Sequence, residues 1–145
     1  MIRYGITIFL GAFLIFQVQP IISRAILPWF GGSPSVWTTC MLFFQVMLVA
    51  GYGYAHFLSK KLSARNFVIL HFSLLAIALI FLPITPSEAW KPAADEGPTL
   101  RLLLLLVVTI SLPYLVLSAS SPVLQSWFHQ QHKKTPYRLF ALSNL

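Results

Sequence analysis

Four apolar runs, each close to the length needed to cross a bilayer, constrain this chain more than any other feature. A transmembrane helix needs about 20 consecutive apolar residues to cover the hydrocarbon core. The runs cover residues 4–27, 36–58, 67–84 and 100–119. They are continuous, whereas membrane β-barrels show alternating segments of about ten residues. Of the 145 residues, 57% are hydrophobic and 9% are charged, against about 25% charged in ordinary soluble domains. So few charges cannot cover a soluble fold. The expected fold class is all-α: a polytopic transmembrane helical bundle of four spans plus a truncated fifth.

Charge sets the orientation. Arg3, Lys60, Lys61, Arg65, Lys133, Lys134 and Arg138, seven of the ten basic residues, fall on one side of the runs. Arg24, Lys91 and Arg101 fall on the other, with all three acids, Glu88, Asp95 and Glu96. The positive-inside rule then places the N-terminus in the cytoplasm. Trp29, Trp37 and Trp90 would mark the outer interface and Trp127 the inner one. The net charge of +7 reads as topology, so the lipid bilayer is an expected partner and nucleic acid is not. The first run reads as a retained span, because no small-x-small cleavage site follows Gln17-Val18-Gln19-Pro20. The single cysteine, Cys40, excludes an internal disulfide and a cysteine cluster. After Thr135-Pro136, a fifth apolar run starts at about residue 137 and is too short to span, so the chain reads as a fragment of something longer.

Polar residues inside spans cost free energy unless paired, which makes each a candidate site. Gln17, Pro20 and Arg24 recur on one helical face of the first run, with Gln19 beside them. Pro20 frees a carbonyl there. Such a face can bind an anionic or carbonyl-bearing ligand; equally, Arg24 can snorkel to headgroups while Gln17 bonds a neighbouring helix. Thr38, Gln45, Tyr52 and His56 lie within about 40° on the second run. Gly51 and Ala55 beside them form a small-xxx-small pair that favours close packing. Tyr114, Ser118, Ser121 and Gln125 share a third face if the fourth helix continues past residue 119. Pro113 and Pro122 interrupt that run and mark a bent or discontinuous helix end. In the connection after the first run, Gly31, Gly32 and Pro34 read as turn punctuation rather than a phosphate cradle.

Catalytic and metal signals are weak. His71 stands alone in the third run and reads as a packed or interfacial histidine rather than a ligand. His129-x-x-His132 has helical spacing for two ligands but no third or fourth nearby, so no metal and no cofactor is expected. No carboxylate lies in a span, which excludes carboxylate acid–base catalysis there.

Several strings resemble one family. Gln19-Pro20-Ile21-Ile22-Ser23-Arg24-Ala25-Ile26-Leu27-Pro28-Trp29-Phe30-Gly31-Gly32-Ser33-Pro34-Ser35-Val36-Trp37-Thr38-Thr39 resembles the N-terminal membrane region of bacterial fused transporter-like/spermidine-synthase-like proteins. Leu42-Phe43-Phe44-Gln45, Gly51-Tyr52-Gly53-Tyr54-Ala55-His56, the block from Ser118 to Phe128 and the block from Pro136 to Asn144 are similar too. Together the strings cover about a third of the chain. The resemblance implies a membrane domain like the major facilitator fold, in the bacterial inner membrane, ahead of a soluble aminopropyltransferase-like domain. Its implied partners are later helices and that cytoplasmic domain of the same polypeptide; the oligomeric state stays open. The synthase-like part is absent here, so this chain is not expected to be an enzyme by itself. Facilitators usually carry an acid in the loop between their second and third helices; here Lys60-Lys61 stand without one.

The implied function is transport or substrate handling linked to polyamine metabolism. The alternative is a passive anchor or helix-packing assembly module for the synthase-like domain. A path predicts that the Gln17/Arg24, Gln45/His56 and Ser121/Gln125 faces converge. A polyamine site in the spans would lean on Tyr52, Tyr54 and Tyr114, since no carboxylate is present.

Overall fold

The computed structural model describes residues 2–84, 87–92, 97–132 and 141. Among them are four α-helices: α1 (Ile2–Ile26), α2 (Pro34–Lys61), α3 (Ala64–Ile80) and α4 (Pro98–His132). Short 3₁₀ turns, Leu27–Phe30 and Glu88–Trp90, sit in the connections after α1 and after α3. The start of a fifth run at about residue 137 lies outside the described residues.

Local chemistry sets the helix ends. After α1, Pro28 opens the 3₁₀ turn, and Gly31 (φ +88°) and Gly32 (φ +60°) reverse the chain. Both φ values lie where a Cβ is strained, so glycine is required at each. Ser33 then caps α2 by accepting from the Val36 N–H, and Pro34 occupies the first turn, where its missing donor costs nothing. Ser63 caps α3 the same way, accepting from the Asn66 N–H.

Three helices, α1, α2 and α4, are long and apolar enough to cross a membrane. At 1.5 Å per residue they run about 37, 42 and 52 Å. The expected third span, 67–84, is helical only as far as Ile80, so α3 has 17 residues and runs about 25 Å. Pro83 explains the early stop, because a proline pushes the residue before it out of the helical region. The expected fourth span, 100–119, is too short at its far end, since α4 continues unbroken to His132. Pro113 and Pro122 therefore do not make the helix discontinuous. Each removes one donor and leaves a carbonyl four residues earlier, at Thr109 and Ser118, without its helical partner. Membrane helices tolerate this where neighbouring groups take over.

α4 is the centre of the bundle. It packs on α1, α2 and α3, most extensively on α2, while those three touch one another little. α2 and α4 run parallel: Phe44 meets Tyr114, with ring centroids 4.9 Å apart, and Ala55 packs with Ala119 and Val123 further along. α1 and α3 run antiparallel to α4. Tyr4 at the start of α1 donates to Gln131 Oε1 (2.9 Å), and Phe67 at the start of α3 meets Trp127 (6.2 Å). The main core joins α1, α2 and α4 through Ile15, Ile22, Phe43, Phe44, Leu105 and Ile110.

This arrangement gathers Arg3, Lys60, Lys61 and Arg65 at one end of the bundle. At the other end the connection before α4 folds back. Ile84 and Trp90 pack on the core, Lys91 lies 5.6 Å above the Trp29 ring, and Arg101 donates to the Ala89 carbonyl (3.0 Å). Lys91 also bonds Glu88 (2.9 Å), and this ammonium holds the exposed carboxyl below the usual carboxylate range. The flanks are apolar and open: Phe16, Val49, Phe57, Leu79 and Ile80 are each more than half exposed. Their natural solvent is hydrocarbon.

At Gly51 the two central helices nearly touch. A Cβ there would collide with the Ser118 hydroxyl and lie 2.9 Å from the Leu115 carbonyl oxygen. At Gly53, on the same helix, a Cβ would meet only the Phe57 ring at 3.9 Å. Gly51→Ala should therefore destabilise the bundle by about 1–3 kcal/mol through overpacking, while Gly53→Ala should leave it unchanged. Thermal unfolding of both variants in detergent checks this; equal midpoints would contradict the close approach.

Candidate functional site

The polar residues of the spans divide into two populations. The α4 set is enclosed: Tyr114 is 2% exposed, Ser118 fully buried, Ser121 5% and Gln125 8% exposed. Ser118 Oγ donates to the Leu115 carbonyl (2.8 Å), and Ser120 Oγ to Val116 (2.8 Å). Thr109 Oγ1 and Ser111 Oγ bond back to Leu105 and Val107 in the same way. A hydroxyl can thus satisfy itself on its own helix. Tyr114 forms one wall of an apolar cavity of about 320 Å³ between α1, α3 and α4, with Leu14, Val18, Leu75, Ile110 and Pro113.

The α1 and α2 sets face outward. Ile8, Ile15 and Ile22 form the buried stripe of α1, and Gln17 and Arg24 are exposed on the opposite side, with Pro20 between them. Gln19 is half-buried. On α2, Thr38, Gln45, Tyr52 and His56 are all exposed. Thr38 Oγ1 is satisfied by the Pro34 carbonyl (2.9 Å). Gln17 and Gln45 carry amides, which have no such local outlet. The enclosed α4 face and the two open faces are therefore separate surfaces of this bundle. Gly51 and Ala55, the small-residue pair of α2, are spent on packing against α4.

The sequence reading missed a cluster at the basic end. His71 is 3% exposed, and its Nδ1 shares a hydrogen bond with the Tyr54 hydroxyl (3.4 Å). Phe67 and Trp127 pack their rings around it at 6.4 and 6.2 Å, and Phe72 stacks on Trp127 at 6.3 Å. The signal was present as Phe67-x-x-x-His71, an i,i+4 pair on one face of α3. Its partners on α2 and α4 are far away in sequence and left no local mark. The hydroxyl of Ser23 and the indole N–H of Trp127 are buried without a hydrogen-bond partner. Among the described residues, no three His, Cys, Asp or Glu side chains come together.

Comparison with protein-family models, with curated proteins and with solved structures found no match.

The aromatic cluster is what fastens α3, the shortest helix, to the rest. Phe67→Ala should cost about 3 kcal/mol and shift the Trp127 emission as its ring loses cover. Unfolding curves and the emission spectrum of a variant retaining only Trp127 check this; unchanged emission would mean that α3 is held elsewhere.

Proposed function

We propose that the chain is the membrane domain of a spermidine-synthase-like fused protein and serves there as a helix-packing anchor. It would sit in the bacterial inner membrane with its basic end in the cytoplasm. The wider four-span-plus-fifth, facilitator-like architecture belongs to the same proposal, and the resemblance strings support it.

One observation carries the packing role. Gln17 and Gln45 are both exposed, at about 14 and 16 Å from the ends of α1 and α2 that flank the Gly31-Gly32 turn. An unpaired amide in hydrocarbon costs about 4 kcal/mol or more. An interhelical hydrogen bond offsets part of that cost, typically about 1 kcal/mol of net association. Two amides at matching depth on a bundle that is otherwise filled with apolar side chains are suited to receiving further helices of the same polypeptide.

The second reading, transport or substrate handling, is favoured by Arg24, which adds a fixed cation to the Gln17 face. The two readings differ in what wets that face. In a Cys40→Ala background, Gln17→Cys and Gln45→Cys should stay unlabelled by a membrane-impermeant maleimide in whole cells and spheroplasts if helices cover them. Rapid labelling of both would overturn the anchor in favour of a water-filled path. In that case Arg24→Ala should abolish uptake of the anionic or carbonyl-bearing solute that this face suits, at normal expression. The link to a synthase-like domain has its own test. An N-terminally tagged product expressed from the native locus should be much larger than 16.3 kDa plus the mass of the tag, and a product equal to that sum would overturn the link.

A further inference from the structure

At the basic end, the first turn of α3 and the last turns of α4 leave a cleft of about 470 Å³ between them. Arg65, Trp127, Gln130 and Gln131 form its polar part, and Val68 and Ile69 continue it along α3 toward the apolar flank. Arg65 is exposed and has no hydrogen-bond or ion-pair partner among the described residues. Trp127 contributes a buried indole N–H that also has no acceptor. Gln131 accepts from Tyr4 through its Oε1, which leaves its amide N–H groups as donors. The side chain of Ser63 takes up the Asn66 N–H, while the earlier amides at this helix start have no acceptor within the helix.

Arg65 thus brings an unpaired positive charge to the cleft and the Gln131 amide adds donors, while the buried Trp127 N–H is closed off from it. Among the described residues no carboxylate lies near the cleft, and in the sequence all three acids fall in the connection between α3 and α4. The cleft is also amphipathic. Its polar mouth opens onto Val68 and Ile69, of which Ile69 is 55% exposed. A free phosphate would use only the first part. A phospholipid would use both, with its phosphate at Arg65 and the glutamine amides and an acyl chain along α3. Basic pockets between membrane helices on the cytoplasmic side bind anionic headgroups by this logic.

We propose that this cleft is a binding site for an anionic phospholipid, held by Arg65 and the Gln130/Gln131 amides, with the Trp127 ring as part of its wall. The proposal does not depend on the synthase-like reading.

The test uses the whole chain in nanodiscs of phosphatidylcholine, with Trp29, Trp37 and Trp90 replaced by Phe so that Trp127 alone fluoresces. A small, equal fraction of acyl-brominated phosphatidylglycerol or brominated phosphatidylcholine is added as quencher. The brominated phosphatidylglycerol should be enriched at Trp127 by about fivefold, the gain given by one basic side chain at an anionic surface. Arg65→Gln should bring the two lipids to parity, while Arg3→Gln, at the same end but outside the cleft, should not. Equal quenching in the parent protein would overturn the proposal, as would an equal effect of Arg3→Gln. Relief of quenching by millimolar inorganic phosphate would overturn it in favour of a soluble anion. Should the tryptophan replacements unfold the bundle, native mass spectrometry of the otherwise unsubstituted chain reads the same preference. Phosphatidylglycerol should stay bound to the parent and be lost from Arg65→Gln; equal retention by both would overturn the site.

Discussion

At Gly51 the backbones of α2 and α4 approach so closely that no side chain fits between them, and Ser118 fills the space a Cβ would need. In hydrocarbon, helices gain little from burying apolar surface, because the lipid is as apolar as they are. Contact area and close approach must do the work. α2 and α4 supply both, and the other helices are arranged on that pair. α1 lies on α4 through Ile15, Ile22 and Ile26, and α3 lies on it through Phe67. Gly51 thus has a role its sequence context only half describes: it is where the central helix is seated.

The same solvent explains why hydroxyls and amides are placed so differently. A serine or threonine in a helix can give its proton to a carbonyl one turn back, as Ser118, Ser120 and Thr109 do. Such residues can be buried in a helix seam without a partner from another chain. The hydroxyls also lie near the carbonyls freed by Pro113 and Pro122, in the part of α4 where the backbone ladder is incomplete. A glutamine amide has more donors and acceptors than its own helix can satisfy. Gln17 and Gln45 stand on open faces with no partner from a described helix, whereas Gln125 is enclosed with the α4 set.

The helical class, the division of basic and acidic residues and the turn at Gly31, Gly32 and Pro34 were legible in the sequence, because each is a local or compositional property; the Ser33 cap was not read there. The extent of the last helix was not. Two prolines and several serines between residues 111 and 122 look like an ending, yet the stretch is helical and packs against the neighbouring helices, most extensively α2. The end of α3 was misjudged in the opposite direction. Leu82 and Ile84 are apolar enough to continue a span, but Pro83 between them cannot continue the helix. His71 was legible as buried but not as partnered, since Tyr54 and Trp127 reach it from two other helices. As for the polar faces, periodicity grouped the right residues on each helix. It could not say which face α4 would enclose, because that depends on which helix takes the centre.

The two ends of the bundle handle charge by different means. At the end opposite the basic cluster the described charges are paired within the protein: Glu88 pairs with Lys91, Lys91 lies over Trp29, and Arg101 donates to a backbone carbonyl. At the basic end no acid is present in the sequence of any of the segments that meet there. The turn between α2 and α3 is only two residues long, Leu62 and Ser63, so Lys60, Lys61 and Arg65 are crowded together without a counter-charge. In a bilayer, the negative charge these side chains would meet is that of the headgroup phosphates. A basic end left open in this way is therefore more than a topology signal. In a bilayer it would seat the bundle against anionic headgroups, the contact that the proposed lipid site makes at Arg65.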